Sequence, residues 1–224
     1  LSLWPMRLVV IGGSGYVGRR VVSLALERGH AVRAVSRSGS PPTSALSQAE
    51  WLSADMRQSE RVREAVGESE AVISTLGAFG SPAYMRSVNG EANIAIARAA
   101  KQAGASRFVH ISAADYGVVE NLIPAYFEGK RAADEEISRL FGPNGTILRP
   151  GMIHGSRQDR IASRSTSPCR LTINKPFSRR SVDIPTSSSL PAGGLGTLAA
   201  VADWRPPRGH ALHAGHVRVA QTSG

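Results

Sequence analysis

The stretch LVVIGGSGYVGRR, residues 8–20, decides how this sequence folds. Four apolar residues are followed by glycines at positions 12, 13, 15 and 18 and then by a segment with helical spacing. A buried strand that passes through glycines into a helix is typical of a phosphate-binding turn. Residues without side chains let main-chain N–H groups approach an anion at the positive end of the helix. No Gly-Lys-Ser/Thr ending follows, which disfavours a triphosphate-binding loop.

The alternation of short apolar runs and helical segments continues to about residue 155. Strands are predicted within residues 7–13, 30–39, 71–77, 107–115 and 145–151, with another just before Asp55, and helices within 16–29, 59–70, 87–105 and 124–140. Such alternation indicates βαβ units. The sequence therefore predicts an α/β fold, a doubly wound parallel sheet with helices on both faces.

The rhythm stops after Gly155. Residues 156–224 are rich in Ser, Arg and Pro and show no sustained strand or helix period. We expect a domain at residues 6–155, followed by an irregular and mostly disordered tail in place of a substrate region. Residues 195–204 could supply one short helix. The histidines at 210, 213 and 216 drift around a helix without an adjacent acidic or cysteine ligand, so no metal site is predicted.

Composition narrows the function classes. The net charge is +10, but residues 1–155 hold 17 basic and 14 acidic residues, whereas residues 156–224 hold 10 and 3. The front of the chain is nearly balanced, so no nucleic-acid partner is expected. No window approaches the roughly 18 consecutive apolar residues of a membrane-spanning helix. The single cysteine, Cys169, excludes an internal disulfide.

The glycines match a dinucleotide fingerprint, Gly13-x-Gly15-x-x-Gly18, and overlap a variant that begins at Gly12. The predicted cofactor-binding residues are Gly12, Gly15, Tyr16, Val17, Gly18, Ser36, Arg37, Asp55, Lys130 and Pro150. The second strand ends with Ser36 and Arg37 and carries no acid there, which favours NADP(H) over NAD(H), since arginine accommodates a 2′-phosphate. Asp55 either contacts the adenine ring or caps the helix that follows.

A candidate catalytic set lies further along the chain. Tyr126 and Lys130 are four residues apart, one turn along a predicted helix and on the same face. A lysine cation beside the phenol would lower the tyrosine pKa and could hold the nicotinamide ribose. Ser112, at the end of a predicted strand, could polarise a substrate carbonyl. His110 and His154 lie beside strand ends and could line the same cleft.

Residues 8–155 resemble the short-chain dehydrogenase/reductase superfamily, whose members carry a serine, a tyrosine about a dozen residues later and a lysine four positions after that. Ser112, Tyr126 and Lys130 match this order and spacing, and the segment ILRPGMIHG resembles the strand and Pro-Gly turn near the nicotinamide, which implies Pro150 as a contact. VNGEANIAIARAA, FVHISAADYG and YFEGKRAADEEI are similar to the atypical branch of that superfamily.

That branch includes organellar proteins related to the nucleotide-binding accessory subunit of respiratory complex I, and others associated with quinone biosynthesis in mitochondria and plastids. The resemblance implies a Rossmann fold, an NAD(P) ligand, a mitochondrial or plastid location and an organellar complex as partner. Members often bind a nucleotide without established turnover. Two departures stand out: Ser87 occupies the position of the superfamily's proton-relay asparagine, and the irregular tail replaces the substrate region. Asn89 and Asn93 are expected on different helix faces.

Two functions remain open at this point. The first is an NADP(H)-dependent oxidoreductase in which Tyr126 is the acid/base, Lys130 lowers its pKa and Ser112 orients the carbonyl or hydroxyl of the substrate. The second is a non-catalytic module that binds the nucleotide as a structural ligand and works through a partner complex.

Overall fold

The computed structural model describes residues 5–151, 153, 169–175 and 178–184. Within them the strands and α-helices follow one another as β1 Arg7–Ile11, α1 Gly18–Glu27, β2 Ala31–Ser36, β3 Glu50–Ser53, α2 Ser59–Val66, β4 Ala71–Ser74, α3 Pro82–Arg86, α4 Ala92–Gln102, β5 Arg107–Ile111, α5 Pro124–Phe141, β6 Gly145–Leu148, β7 Cys169–Lys175 and β8 Ser178–Ile184. A π-helical turn, Ser87–Glu91, joins α3 to α4, and 3-10 turns lie at Ser44–Leu46, Gly117–Leu122 and Gly142–Asn144.

The first six strands form one sheet in the order β3-β2-β1-β4-β5-β6. Every neighbouring pair in it is parallel, with Val10 of β1 between Ala34 of β2 and Ile73 of β4. This arrangement confirms the predicted doubly wound sheet. The chain progresses outward in opposite directions from β1 and β4, which makes their carboxyl ends the point where such sheets bind ligands.

Side chains alternate across β1 and divide the core into two layers. Val9 and Ile11 pack with α2, α4 and α5 on one face of the sheet. Leu8 and Val10 pack with α1 and the 3-10 turn at Ser44–Leu46 on the other face. Because both faces of the sheet are covered, β1 is apolar in an uninterrupted run at residues 8–11 and not alternately polar.

The segment after Gly155 contains a hairpin. β7 and β8 pair antiparallel, with Leu171 opposite Val182. These two strands are an exception to the expected irregular tail. Leucine and isoleucine alternate with polar residues in β7 and give the period of a short strand despite the Ser- and Arg-rich composition. Residues 195–204, His154 and the three C-terminal histidines lie outside the described residues, and the domain boundary at 155 stays a prediction.

Candidate cofactor site

The turn between β1 and α1 is built by close main-chain approach. Gly12 has a φ of +81°, and the N–H groups of Gly12 and Gly13 both donate to the carbonyl of Val35, at 2.9 and 3.0 Å. A Cβ added to Gly18 would lie 2.1 Å from the Gly12 carbonyl oxygen, so the first residue of α1 sits directly on the turn. Only glycine fits there, and the cradle therefore suits a diphosphate at the amino end of α1.

Thr75 ties the turn to the other half of the sheet. Its hydroxyl lies 2.8 Å from the Ile11 carbonyl and 3.2 Å from the Gly12 carbonyl. These contacts join the carboxyl ends of β1 and β4, where the direction of winding reverses. Thr75 is not among the predicted site residues, although its position directly after β4 was a usable signal.

Two arginines, Arg19 and Arg20, lie in the first turn of α1. The Arg20 guanidinium donates to the Tyr16 carbonyl at 2.9 Å and lies 4.2 Å from the centre of the Tyr16 ring. Burial and the neighbouring charge of Arg20 lower the pKa of Arg19. Val17 precedes the first helical residue. The predicted contacts Tyr16 and Val17 thus lie at the helix end that favours an anion, and the two arginines add to its field.

The end of β2 carries the residues expected to select the nucleotide. Ser36 is buried, and its hydroxyl accepts the N–H of Gly39 at 3.1 Å, so it shapes the turn. Arg37 is exposed. The selection of the nucleotide by Arg37 stays a prediction.

Asp55 lies near the same edge and is paired locally. Its carboxylate accepts the main-chain N–H of Arg57 at 3.1 Å and the Arg57 Nε at 3.0 Å. Hydrogen bonding from Arg57 is the main cause that lowers the Asp55 pKa, and the charge of Arg37 contributes. Gln58, not Asp55, precedes the first residue of α2, so the helix-capping alternative is wrong.

The π-helical turn is held by Asn93. Its Nδ2 donates to the carbonyls of Val88 and Asn89, each at 3.1 Å, and its Oδ1 accepts the Ser74 hydroxyl at 2.6 Å. A π-helical turn disturbs the regular pairing of carbonyls along a helix, and such turns often occur at functional sites. Asn93 supplies the missing donors and joins the turn to the end of β4.

Asn89 fixes the loop that follows β4. Its side chain accepts the Ala78 N–H at 3.0 Å and donates to the Ala78 carbonyl at 2.8 Å. Asn89 and Asn93 are both fully buried, and their side chains bond Ala78 and Ser74 respectively. The expectation that they lie on different faces is wrong, because residues four apart lie one turn apart on the same face. Ser87, at the proton-relay position, begins the π-helical turn.

The π-helical turn and α5 meet through two glycines. A Cβ on Gly129 would lie 2.9 Å from the Gly90 nitrogen, and a Cβ on Gly90 would lie 3.1 Å from the Gly129 Cα. The backbones are therefore in direct contact. This brings Lys130, the next residue of α5, to the ends of β4 and β5.

Lys130 is held by main-chain oxygens. It is 2% exposed, and its Nζ donates to the carbonyls of Leu76 and Ile111 at 2.7 and 2.8 Å. Burial lowers the pKa of Lys130 to about 8, and the charge of Asp134 opposes that shift. The side chain thus bridges the carboxyl ends of two neighbouring strands.

Tyr126 is half-buried beneath Phe79. The two rings stack with centroids 4.6 Å apart and planes 10° apart, and Phe79 remains 67% exposed. Burial and the neighbouring phenol of Tyr116 raise the pKa of Tyr126, and the charge of Arg131 only partly opposes this rise. The expected lowering of the Tyr126 pKa by Lys130 is therefore wrong for this arrangement.

Ser112 belongs to a buried polar cluster that the sequence analysis missed. Its hydroxyl donates to Asp134 Oδ2 at 2.9 Å, and Arg149 donates to the same oxygen from Nε at 3.0 Å and Nη2 at 2.8 Å. Burial raises the pKa of Asp134, and the bonds from Arg149 oppose that rise. Asp134, four residues after Lys130 on α5, was a usable signal because it falls on the same helix face.

His110 faces α5 from β5. It is fully buried, its Nε2 lies 3.7 Å from Asp134 Oδ1, and neither ring nitrogen has a hydrogen-bond partner among the described residues. Burial, followed by the charges of Lys130 and Arg149, holds the pKa of His110 well below its usual value. His110 is therefore a neutral core residue and does not line a cleft, as the sequence analysis had allowed.

Pro150 extends β6 at the carboxyl edge. Its carbonyl accepts the Ala114 N–H at 2.9 Å, and the residue is buried. The structure thus gathers Ser112, Tyr126, Lys130 and Pro150 around the ends of β4, β5 and β6, and the glycine turn and Arg37 around β1 and β2. Within the described part of the chain, no helix is long and apolar enough to cross a membrane.

Comparisons with known proteins agree with this geometry. The model of a family described as NAD(P)H-binding matches residues 12–182, more than half of the chain and beyond the predicted boundary at 155. The chain is 39% identical over 155 residues to an uncharacterized chloroplastic protein of Arabidopsis thaliana, At1g32220, covering 68% of this chain and 52% of that protein.

A mitochondrial relative and a solved structure extend the comparison. The chain is 30% identical over 160 residues to the mitochondrial NADH dehydrogenase [ubiquinone] 1 alpha subcomplex subunit 9 of Rattus norvegicus, covering 68% of this chain and 41% of that subunit. The Bordetella bronchiseptica enzyme WbmG in complex with NAD shares the fold, with a TM-score of 0.53 and 18% identity over 65% of this chain and 53% of WbmG.

The chain spans about half the length of the Arabidopsis protein and of WbmG, and less of the rat subunit. The chloroplastic and mitochondrial relatives and the family match confirm the resemblance drawn from residues 8–155. The described fold, its glycine turn and the matched residues lead to one assignment. The chain belongs to the NAD(P)H-binding family, of the atypical short-chain dehydrogenase/reductase type.

Proposed function

We propose that this chain binds NADP(H) as a ligand within an organellar assembly and performs no hydride transfer through Ser112, Tyr126 and Lys130. The observation that carries the proposal is the position of Lys130. Its Nζ donates to two main-chain carbonyls, and the pKa of Tyr126 is raised, chiefly by burial, and not lowered. A tyrosine acid/base at neutral pH needs a lowered pKa, since an ordinary phenol has a pKa of about 10.

Ser112 supports the same conclusion. A serine hydroxyl has one proton to donate, and Ser112 donates it to Asp134. Arg149 favours the charged form of that carboxylate. With its proton so used, Ser112 can accept a hydrogen bond from a ligand but cannot polarise a carbonyl.

The bound nucleotide would lie across the carboxyl ends of the strands. The turn at Gly12–Gly18 would hold the diphosphate, the β2 end would meet the adenosine half, and Lys130 would lie in the nicotinamide half. When bound, the nicotinamide ring supplies hydride-accepting or hydride-donating chemistry. The residues of this chain bind and orient the ligand.

Arg37 carries the preference for NADP(H). It is exposed at the end of β2, and its charge reaches Asp55, so it lies at the edge where a 2′-phosphate would bind. The organellar assembly is proposed from the chloroplastic and mitochondrial relatives, of which the rat protein is described as a subunit of a larger complex.

Calorimetry with purified protein tests the binding. We expect NADPH to bind more tightly than NADH. The Arg37→Ala replacement should reduce the ratio of the two affinities about tenfold, which corresponds to the loss of one charge-assisted hydrogen bond. Arg63→Ala, an exposed arginine on α2, is the matched control and should change neither affinity. Equal affinities for both nucleotides in the unaltered protein would remove Arg37 from this role. Failure to bind either would refute the proposal as a whole.

An oxidoreductase is the second candidate, and one observation favours it. Tyr126 is only half-buried at the carboxyl edge, one helical turn from Lys130 on α5, where family members place an acid/base. NADPH oxidation in the presence of a panel of aldehydes, ketones and quinones tests it. A rate that falls at least a hundredfold in Tyr126→Phe would establish this function and refute the non-catalytic one.

A further inference from the structure

We propose that Lys130 makes this protein bind a reduced nicotinamide nucleotide more tightly than its oxidised form, so that occupancy reports the redox state of the nucleotide pool. The inference rests on the proposed nucleotide binding and deepens it. It concerns the charge that the fold places at the nicotinamide half of the crevice.

The first step is where the charge lies. Lys130 Nζ sits between the carbonyls of Leu76 and Ile111, directly after β4 and at the end of β5. A Cβ on Gly77 would lie 3.3 Å from this nitrogen, so a residue without a side chain lies beside Lys130 in the loop after β4. In a doubly wound sheet β1–β3 bind the adenosine half and β4–β6 the other half, which is the nicotinamide.

The second step is that the charge of Lys130 is not neutralised. The carbonyls that hold it are dipoles, and the π-helical turn contributes a neutral amide, Asn89. Asp134 of α5 is the acid whose charge reaches Lys130. That carboxylate is already bonded to Arg149 of β6 and to Ser112.

Three other titratable groups face this region. Arg131 of α5, whose charge also reaches Asp134, is paired with Asp115 and Glu120. His110 of β5 is held neutral by burial. Tyr126 of α5 is neutral at physiological pH because burial raises its pKa. Within the group formed by Lys130, Arg149 and Asp134, one aspartate therefore stands against two cations, so this group carries an excess positive charge.

The third step compares the two ligands. The oxidised nicotinamide ring carries a positive charge and the reduced ring carries none, whereas the phosphates and the adenosine are identical. Arg37 and the α1 arginines therefore cancel from the comparison within one redox pair. Only a group near the nicotinamide discriminates, and a buried cation there opposes the oxidised ring.

Thermodynamic linkage between proton binding and nucleotide binding gives the size of the preference for the reduced form and its dependence on pH. A neighbouring like charge lowers a pKa by about one unit or more, and by reciprocity the oxidised nucleotide binds about tenfold more weakly to the protonated lysine. Lys130 has a pKa of about 8. The preference is therefore full about one pH unit or more below that value. It fades as the pH rises through about 8, because the lysine loses its proton and the oxidised form then binds more tightly.

The test is calorimetric titration of the full chain at pH 7.0 and 9.5. One pair of titrations compares NADPH with NADP⁺, and a second pair compares NADH with NAD⁺. We expect about fivefold tighter binding of the reduced form at pH 7.0 and near equality at pH 9.5. Lys130→Gln keeps a donor for one carbonyl without the charge and should bind both forms equally at both pH values. Lys130→Arg should restore a preference that no longer changes with pH, and Lys101→Gln, an exposed lysine on α4, is the control.

The unaltered protein decides the question even if the Lys130 variants fail to fold. Equal affinity for both forms at pH 7.0, or tighter binding of the oxidised form, would overturn the inference while leaving nucleotide binding intact. A preference that persists unchanged at pH 9.5 would also overturn it. Binding of neither form would refute the proposed function itself, which keeps the two failures distinct.

Discussion

The replacement Gly18→Ala tests the close approach on which the cofactor turn depends. The added methyl carbon would lie 2.1 Å from the Gly12 oxygen and 2.8 Å from the Gly12 carbonyl carbon. A contact of this kind normally needs more than 3 Å, so α1 or the turn must move by about 1 Å. Both partners are backbone, and no side chain can rotate away.

Overpacking of this kind costs roughly 1–3 kcal/mol, and the upper end applies because the obstacle is backbone. Each kcal/mol lowers the melting temperature of a domain of this size by about 2–4 °C, so a fall of about 6–12 °C is expected. The shift also moves main-chain donors away from the diphosphate. Loss of one charge-assisted bond weakens binding about tenfold or more.

Gly29→Ala is the matched control at the other end of α1. Gly29 has a φ of +77° and open space around its Cβ position, so alanine there costs backbone strain of about 1–2 kcal/mol and should leave nucleotide affinity unchanged. Urea unfolding and calorimetry measure both quantities. If Gly18→Ala and Gly29→Ala lower stability equally and neither affects affinity, close approach is not what builds the site.

Three further replacements probe the buried contacts. Asn93→Ala removes the partner of the Ser74 hydroxyl and two donors from the π-helical turn, so urea unfolding should show a loss of about 2–4 kcal/mol; a loss below about 0.5 kcal/mol would contradict this. Arg149→Met should cost about 3 kcal/mol at pH 7 by stranding Asp134, and the loss should shrink as the pH falls and that carboxyl takes up a proton. Glu136 has a pKa lowered to about 2 by hydrogen bonds from exposed arginines, so its stabilisation is present above pH 4.5 and is lost as the pH falls towards 2. Because solvent screens these exposed ion pairs, Glu136→Gln should remove only about 1 kcal/mol of that pH-dependent stability. An unchanged dependence of the unfolding free energy on pH would count against this expectation.

The sheet could be predicted from the sequence because each of its strands carries a local signal. The apolar run at residues 8–11 and the glycines after it specify both strand and turn. The start of α3 escaped notice, although Ser81 accepts the Tyr84 N–H and Pro82 follows it, a recognisable helix start. The π-helical turn could not be predicted from the sequence. One extra residue shifts the spacing of apolar residues along a helix no more than the usual variation in that spacing does.

The site residues could be located but not their hydrogen-bond partners. Ser112, Tyr126 and Lys130 do lie at one edge, because helix periodicity and strand ends fix positions. Whether a lysine faces a phenol or two carbonyls depends on how closely α5 approaches the π-helical turn. That approach is set by Gly90 and Gly129, which are 39 positions apart in sequence.

The match to a catalytic motif and the hydrogen bonds of its members answer different questions. Ser112 and Lys130 tie β4, β5 and β6 to α5 through Asp134 and the strand-end carbonyls. Both residues would therefore be needed to fold the nucleotide-binding edge even in a protein that performs no hydride transfer. A protein of this type can therefore keep the serine and the lysine after the substrate region has changed. Tyr126 has no such structural bond among the described side-chain contacts beyond its ring stacking. It is therefore the member of the set whose replacement by phenylalanine separates chemistry from structure, because the ring contacts survive and only the hydroxyl is lost.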